Sequence, residues 1–376
     1  MTSNNPPKIF IIGGTGAQGI PVIAGLVADK KYAVRVLTRD VSSPRAQHLL
    51  SLGNVELVAG TFASESDLRT GFRGCQGAFV NIDGFNCGEK TEVYWAIRAY
   101  ELAREEGGVK FFVYGNLDYG YKLSGFKKQF RCGHYDGKGR VGEWILFQNQ
   151  QSPDGGMKAA IFTTGPYIEM AIGSRTPMSP TLERDEKSGD DVLTWRVPLG
   201  AAGAVPHVAL EDCGHYVRWL FDNPTRASGL DLAVAIEHVD YAELARAFSA
   251  VTGKRARFVD VDMETYWTSG PLSRAANWGA AYNSDPSDPA FMTIRDNFTG
   301  FWNLWRASGG NTGVVKRDYK LLDEIHPKRI RSAEEWFRKV DERGIREGKG
   351  SLWEQVQPKN MKPPTKNMED GRKGRL

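Results

Sequence analysis

The stretch KIFIIGGTGAQG, Lys8 to Gly19, decides the fold. Its apolar run IFII predicts a buried strand, and residues 20–27 repeat with the period of an amphipathic helix. A glycine turn between a strand and a helix N-terminus binds a pyrophosphate, because free N–H groups and the helix dipole point at the anion. Gly13 permits the tight turn, Gly16 lets the backbone approach the phosphates, and Gly19 lets helix and strand pack closely. The stretch therefore predicts a dinucleotide site.

Strand-like segments alternate with helical ones through the first 170 residues. Helical patterns such as Glu89–Glu106 and Gly139–Gln150 separate them. The predicted strands after the first are Ala33–Asp40, Val55–Gly60, Gly77–Gly84, Val109–Asn116 and Lys158–Tyr167. Regular alternation with short connections predicts an α/β fold, with residues 1–170 forming an NAD(P)-binding Rossmann domain around a doubly wound parallel sheet.

Beyond residue 170 the alternation stops. Residues 171–357 are predicted to form a smaller, mostly helical, aromatic-rich C-terminal domain interleaved with the sheet, since six of the ten tryptophans follow Tyr266. Within it, 176–197 suggests a surface excursion or hairpin, 207–221 a strand running into a helix, and 255–261 another strand. This domain is expected to cover the cofactor cleft.

Charge and composition exclude several classes of function. The last segment, 358–376, has six basic and two acidic residues and accounts for the whole net charge of +4, so the rest of the chain is neutral and direct nucleic-acid binding is not expected. This Pro-, Lys- and Gly-rich segment is predicted to be a disordered basic tail. No apolar run is long enough for a membrane span, and no signal peptide is visible. Four scattered cysteines predict free thiols and no metal site, so we expect a cytoplasmic protein and leave a nuclear location open.

The end of the second strand indicates which dinucleotide binds. An NAD site places an acidic residue there to bind the ribose 2′-hydroxyl, whereas this chain has Thr38 and Arg39, with Arg45 one loop further on. A guanidinium suits a 2′-phosphate because it stays charged and donates two parallel hydrogen bonds. NADP(H) is therefore preferred over NAD(H), and Asp40 is interpreted as an outward turn or cap residue.

Groups that could transfer a proton follow the fifth strand. The Tyr-x-x-x-Lys pair of classical short-chain dehydrogenases is absent: Tyr114 has Asp118 four positions on, and Lys138 has His134 four positions before it. Lys138, predicted to lie just before a helix, could bind ribose hydroxyls or donate a proton. His134 titrates in the range of a general acid or is structural. The candidate catalytic residues are Lys138, His134 and Tyr121, with Tyr119 as a further option.

Five motifs carry a resemblance to a known family. They are GGTGAQG (13–19), VRVLTRD (34–40), FFVYGN (111–116), HYDGKGRVGEW (134–144) and GPYIE (165–169). In this order, and with G-x-x-G-x-x-G spacing, they resemble the NmrA-like family of atypical short-chain dehydrogenases over about Lys8 to Val261. That family includes a fungal nitrogen-metabolite regulator, an NADPH sensor and, more distantly, isoflavone-reductase-type enzymes. The segment 317–340 also resembles the C-terminal part of fungal members, which implies a fungal origin.

The resemblance assigns further positions to the cofactor. It implies that Asn81 to Phe85 line the ribose and nicotinamide, that Lys138 binds the nicotinamide ribose and that Tyr167 covers the nicotinamide. The alternative for Asn81 and Asp83 is that their side chains stabilise the turn at the end of the strand. Thr61 stands where the family usually has an aspartate at the adenine. The predicted cofactor-binding residues are Gly13, Thr15, Gly16, Ala17, Gln18, Gly19, Thr38, Arg39, Arg45, Thr61, Asn81, Asp83, Gly84, Phe85, Tyr114, Lys138 and Tyr167.

Two functions remain open from sequence. The first is an NADPH-dependent reductase, or a related isomerase, of an apolar aromatic or polyketide-like carbonyl or enone, since the aromatic C-terminal part could form an apolar pocket. The second is a non-catalytic NADP(H) sensor that binds a transcription factor or other regulatory protein, favoured by the missing Tyr-x-x-x-Lys pair. The aromatic C-terminal part favours the enzyme slightly. The sequence does not decide whether the chain forms a homodimer.

Overall fold

The strands lie where apolar and β-branched residues alternate with glycine-rich turns. A computed structural model of the protein describes residues 5–152, 155–281 and 285–365. The strands are β1 (Lys8–Ile12), β2 (Ala33–Thr38), β3 (Val55–Ala59), β4 (Gly77–Val80), β5 (Phe111–Leu117), β6 (Lys158–Thr164), β7 (Thr181–Arg184), β8 (Asp191–Val197), β9 (Val205–His207), β10 (Asp231–Ala233), β11 (Glu237–Val239) and β12 (Ala256–Asp260).

The helices fill the intervals between strands and most of the C-terminal part. They are α1 (Gly19–Val27), α2 (Pro44–Ser51), α3 (Glu65–Phe72), α4 (Gly84–Cys87), α5 (Glu89–Glu105), α6 (Gly120–Leu123), α7 (Gly133–Gln150), α8 (Leu210–Asp222), α9 (Pro224–Ala227), α10 (Tyr241–Thr252), α11 (Met263–Ser269), α12 (Ile294–Arg306), α13 (Tyr319–Ile325), α14 (Ala333–Arg346) and α15 (Leu352–Gln355). In the ranges described, no helix is long and apolar enough to cross a membrane.

A seven-stranded parallel sheet organises the molecule. Its order is β10-β6-β5-β4-β1-β2-β3, and β1 pairs with β2 on one side and β4 on the other. The predicted doubly wound Rossmann sheet is therefore confirmed. Its seventh strand, β10, comes from residues 231–233, and α8 packs against α1, so the chain beyond residue 170 contributes to this layer and the two parts are interleaved.

Each face of the sheet has its own core. On one face, Val22 and Ile23 of α1 pack with Val217 and Leu220 of α8 over the inward side chains of the central strands. On the other face, α3, α5 and α7 cover a second core around Phe112. Because the strands are buried on both sides, they read as nearly continuous apolar runs, which is why the sequence predicts them well.

The C-terminal part has a separate aromatic core. Trp195, Trp302, Trp305 and Trp336 are among its largest fully buried side chains. A three-stranded sheet, β12-β8-β7, supports it, with β7 and β8 forming the predicted hairpin and β12 adding in parallel to β8. Most of the C-terminal tryptophans are therefore packing residues.

The first part of the basic tail is packed against the body, so the prediction that disorder begins at residue 358 is wrong. The Ser174 N–H donates to the Lys362 carbonyl at 3.1 Å, and Pro364 lies against Gly173, which has no Cβ to displace it. Thr365 reaches the large cavity described below. Residues 366–376, which carry the rest of the predicted tail, lie outside the described residues.

Candidate functional site

A cavity of about 810 Å³ lies where the parallel strands end. Its floor contains residues at or just after the carboxyl ends of successive strands: Ile12, Thr38, Asn81, Asn116 and Thr164. Ligands of open α/β sheets bind at this edge, near the point where the strand order reverses. Here the reversal falls between β1 and β4, directly above the glycine turn.

The glycine turn has the predicted geometry. Gly13 has φ +81°, and its carbonyl accepts the Gly16 N–H at 3.0 Å. A Cβ on Gly19 would lie 2.2 Å from that carbonyl oxygen, so the start of α1 rests directly on the turn. A Cβ on Gly16 would meet only the Gly13 oxygen, at 3.1 Å, so this residue leaves the cavity side of the turn open to a ligand.

At the end of β2, Arg39 and Asp40 both line the cavity. The Asp40 carboxylate accepts the Ser42 N–H at 2.9 Å and the Ser42 hydroxyl at 2.6 Å, as expected of a turn residue. Thr61 also lines this end, and its hydroxyl accepts the Ala63 N–H at 3.2 Å. The structure thus brings Arg39 to the place where the two dinucleotides differ, next to Asp40, whose Oδ1 is held by Ser42.

After β4 the chain turns into the short helix α4. Asp83 faces the cavity and accepts the Phe85 N–H at 3.1 Å, which makes it the N-cap of α4. Asn81 also lines the cavity, and its Nδ2 donates to Gln18 Oε1 at 2.7 Å. Asp83 therefore has the turn role that the sequence left open, and Asn81 joins this turn to the start of α1.

Lys138 lies inside α7, so the prediction that it precedes the helix is wrong. The glycines of the HYDGKG motif resembled a loop, yet α7 begins at Gly133. They are small because the helix lies against its neighbours: a Cβ on Gly139 would meet Tyr119 at 2.4 Å, and one on Gly137 would meet Glu89 at 3.2 Å. The tertiary contacts override the low helix propensity of glycine.

The Lys138 ammonium is held by four oxygen atoms. It lies 2.8 Å from Glu92 Oε1, 3.0 Å from Asn81 Oδ1, 2.9 Å from the Ile82 carbonyl and 3.2 Å from the Gly115 carbonyl. These acceptors come from α5, the end of β4 and β5. The side chain is mostly buried, and only its edge reaches the cavity.

His134 lines the cavity among aromatic rings. Its ring centre lies 4.5 Å from that of Phe85 and 5.4 Å from that of Phe298. The Asn297 amide meets its Nδ1, with Nδ2 at 2.9 Å and Oδ1 at 3.1 Å, and no hydrogen-bond partner of Nε2 occurs in the described residues. Burial lowers the pKa of His134 to about 4, so the imidazole is neutral at pH 7.

The outer part of the cavity is an aromatic lobe, which we define as Phe85, Met170, Leu272, Phe298 and Phe301. Tyr167, which the resemblance places over the nicotinamide ring, lines the same cavity. A lobe of this kind accepts a flat, apolar molecule. The lobe includes residues from α12, so the C-terminal part does form one wall of the cleft.

Three predicted site residues lie outside the cavity. Tyr114 belongs to the core around Phe112, where its hydroxyl is buried and has no hydrogen-bond partner among the described residues. Tyr121 packs against Phe126 and Arg131 at the surface of α6, and Tyr119 packs against Arg140 and Gly139. None of these tyrosines lines the cavity, which disagrees with the assignments of Tyr114 to the cofactor and Tyr121 to catalysis.

Arg45 is also absent from the cavity wall. Its guanidinium lies 3.4 Å from the Thr15 carbonyl and so braces the turn from outside. The other predicted cofactor residues all line the cavity.

Sequence reasoning missed Glu92, Asn297 and Arg175. The first two are buried polar residues in helices, which no local motif marks, and they act through contacts 46 or more positions away in the chain. Arg175 lines the cavity in a left-handed backbone conformation with φ 60°. A basic residue in a Gly-Ser-Arg-Thr-Pro turn was the available signal for it. No group of three or more His, Cys, Asp or Glu suited to a metal occurs in the part of the chain that the structure describes.

The sheet order, the glycine turn and the cavity define an NAD(P)-binding Rossmann fold. The model of the NmrA-like family matches residues 6–275, and the chain belongs to the NmrA-like family. The resemblance noted in the sequence is thereby confirmed.

Three known proteins illustrate the relationship. The NmrA-like oxidoreductase himF of Aspergillus japonicus is 30% identical over 268 residues, covering 68% of this chain and 78% of that protein. The NmrA-like oxidoreductase malD of Malbranchea aurantiaca is 26% identical over 351 residues, covering 90% and 97%. The crystal structure of NmrA, a negative transcriptional regulator, superimposes with a TM-score of 0.67 at 16% identity, covering 93% of this chain and 99% of that one.

Proposed function

We propose that this protein binds NADP(H) and reduces an apolar, aromatic or polyketide-like carbonyl or enone. The observation that carries the proposal is one continuous cavity that joins the glycine turn to the aromatic lobe, so that a cofactor and a flat substrate fit end to end. Two relatives support the reaction class, since himF and malD are both named oxidoreductases. NmrA itself has been crystallised in complex with NADP and in complex with NAD.

The residues along the cavity fit the successive parts of the cofactor. The turn from Gly13 to Gly19 would hold the pyrophosphate through backbone N–H groups, Arg39 the 2′-phosphate and Thr61 the adenine. Lys138 would act on the nicotinamide ribose through Asn81, whose Oδ1 its ammonium approaches.

The protein's own contribution to the reaction would come from His134 and the aromatic walls. When bound, the nicotinamide supplies or accepts a hydride. Asn297 Oδ1 lies 3.8 Å from the Cys132 Sγ and can accept from this thiol, which leaves Asn297 Nδ2 to donate to His134 Nδ1. With Nδ1 as the acceptor, the imidazole of His134 carries its proton on Nε2. A neutral imidazole of this kind donates a hydrogen bond to the substrate oxygen and stabilises the negative charge that develops there. The aromatic lobe excludes water from the same oxygen.

The direct test is NADPH oxidation, followed at 340 nm, with a panel of aromatic ketones, quinones and enones. Turnover of at least one compound is expected, with aliphatic carbonyls of similar size much poorer. A protein that binds NADPH tightly but oxidises it with none of the panel would contradict the reductase proposal.

Replacing Arg39 with alanine is expected to weaken NADPH binding by about tenfold or more and to leave NADH binding nearly unchanged. Hydrogen bonds to a charged group contribute about 1.5–3 kcal/mol, and NADH has no 2′-phosphate to lose them. Fluorescence titration of both cofactors measures the two affinities. Arg45→Ala is the matched control, because Arg45 stands outside the cavity wall, and it should keep the wild-type preference. Equal losses for NADPH and NADH in Arg39→Ala would refute the 2′-phosphate assignment.

Replacing His134 with leucine is expected to lower kcat by about 100-fold, the typical effect of removing one oxyanion donor, while NADPH binding is retained. His134→Gln, which keeps a neutral donor, should recover part of the rate. Because the pKa of His134 is lowered to about 4, the imidazole stays neutral above that pH and the wild-type rate should not fall between pH 5 and 8 through this group. A different result would identify an imidazolium acid: a wild-type rate that falls as the pH rises through 6–7, together with a His134→Gln rate that does not depend on pH in this range.

A sensor that binds NADP(H) without turnover is the second candidate. It is favoured by the engagement of Lys138 in three hydrogen bonds and an ion pair, and by the position of Tyr119 and Tyr121 outside the cavity, which leave few proton donors beside a substrate. For a sensor, NADPH and NADP⁺ would differ in affinity or in the protein surface that they stabilise, and the panel would give no oxidation. Limited proteolysis with each cofactor, run beside the panel, separates the two functions.

A further inference from the structure

We infer that Glu92 is the buried counter-charge of Lys138, and that this ion pair positions Asn81 and the turn after β4 for the cofactor. On this inference, which rests on the proposed NADP(H) binding, Lys138 is a positioning residue and not the proton donor.

Glu92 lies in the first turn of α5 and is completely buried. Its carboxylate oxygens have no partner among the described residues apart from the Lys138 ammonium, 2.8 Å from Oε1. Burial raises the pKa of Glu92, and the Lys138 charge opposes that effect. A buried carboxylate is retained only with such compensation, so the placement of Glu92 is tied to that of the lysine.

The backbone beside the pair is shaped for it. A Cβ on Gly84 would lie 2.2 Å from Glu92 Oε2, so the carboxylate can rest against the first residue of α4 only because that residue is glycine. Gly84 lines the cofactor cavity on its other side. The position of the carboxylate therefore bears directly on the turn that faces the nicotinamide end.

All three N–H groups of the Lys138 ammonium already have acceptors. An ammonium has three N–H groups, and here they donate to Asn81 Oδ1 and to the carbonyls of Ile82 and Gly115, while Glu92 Oε1 lies 2.8 Å away as the opposite charge. Donation to a substrate would require one of these buried acceptors to lose its partner. Its geometry is that of a clamp between α5, β4 and β5.

The effect of the clamp passes along a chain of side chains. Because Asn81 Oδ1 accepts from Lys138, its Nδ2 is turned to donate to Gln18 Oε1 at 2.7 Å. Gln18 Nε2 in turn lies 3.4 Å from Thr164 Oγ1 at the end of β6. This network runs along the cavity floor from α5 to Gln18, directly before α1. The positions of the pyrophosphate turn and of the residues at the ribose end therefore both depend on it.

The test compares Glu92→Gln, Lys138→Met and the double variant with wild type. The measurements are NADPH affinity by fluorescence titration, and kcat and KM for NADPH with any substrate found in the panel. Glu101→Gln is the matched control, since it is the same change on the same helix, and the Glu101 side chain is about half exposed and pairs with Arg98 at the surface. Melting temperature without cofactor is recorded for all variants.

Both single variants are expected to weaken NADPH binding by about 10–100-fold, the range found at metal sites when the partners that orient the ligands are removed. The double variant should be no weaker than the worse single one, because the two side chains act as a unit. KM for NADPH should rise much more than kcat falls, and Glu101→Gln should match wild type.

Three results would overturn the inference. One is a Glu92→Gln protein that binds NADPH as wild type does, even if its melting temperature falls. Another is additive losses in the double variant. The third is a Lys138→Met protein with unchanged NADPH affinity and a kcat reduced by orders of magnitude, which would make Lys138 the acid. If wild type binds no NADPH, the proposed function fails with it, and that result is separate from the other three.

Discussion

Replacing Arg317 with methionine is expected to lower the free energy of unfolding by about 3–5 kcal/mol, the range for breaking a buried ion pair. The Arg317 side chain is fully buried and donates to both oxygens of Asp118, at 2.7 and 2.8 Å. Its Nε donates to the Val234 carbonyl at 3.0 Å. Methionine fills much of the space but leaves the Asp118 carboxylate and that carbonyl without their donor.

Urea denaturation measures the loss, and Arg331→Met is its control. Arg331 belongs to the same C-terminal segment, but its side chain is about half exposed, so its pair with Asp323 should contribute about 1 kcal/mol or less. Adding Asp118→Leu to Arg317→Met removes the unpaired charge and should recover a large part of the loss. An Arg317→Met protein as stable as Arg331→Met would show that the buried pair does not hold the segment.

The same ion pair links the C-terminal segment to the site. Asp118 directly follows β5, and the last two residues of that strand, Asn116 and Leu117, line the cavity. The segment from 317 to 340, which resembles the C-terminal part of fungal family members, is therefore tied at its first residue to the chain directly after the cavity-lining end of β5.

The features predictable from sequence are those determined by neighbours along the chain. The glycine turn and the strands through β6 follow local patterns, because a strand buried on both faces is a continuous apolar run and Gly13 must adopt a positive φ. Arg39 follows from its position at the end of such a strand. These local rules gave the fold and the phosphate end of the cavity wall, and the resemblance of five motifs gave the family and the nicotinamide end.

The features that were missed depend on contacts between distant segments. The partner of His134 is 163 positions away, and the start of α7 at Gly133 depends on the close approach of neighbouring side chains that a sequence does not display. Tyr114 was assigned to the cofactor although its side chain packs in the core around Phe112, because a strand buried on both sides carries no alternation that shows which way each side chain points. Glu92 looks like any surface glutamate of a helix until its burial is known.

Replacing Gly19 with alanine is expected to disrupt cofactor binding and folding together. The added Cβ would lie 2.2 Å from the Gly13 carbonyl oxygen and 2.6 Å from Gly14 Cα, both backbone atoms that no rotamer change can move. Overpacking of this kind costs about 1–3 kcal/mol, and the displacement falls on the turn whose N–H groups would hold the pyrophosphate. We expect NADPH affinity to fall by at least about tenfold, since 1.4 kcal/mol corresponds to that factor.

Two other glycines separate the two effects of the Gly19 change. Gly16→Ala adds a Cβ that meets only the Gly13 oxygen, at 3.1 Å, so it should weaken NADPH binding while the melting temperature stays near that of wild type. Gly25 lies in the same helix, and a Cβ there would meet the Gly214 carbonyl oxygen at 2.6 Å, between α1 and α8. Gly25→Ala should therefore lower the melting temperature with less effect on NADPH affinity. Gly19→Ala should show both losses. If it bound NADPH like wild type, the close contact between turn and helix would not be what shapes the phosphate site, and the dinucleotide assignment would lose its main geometric support.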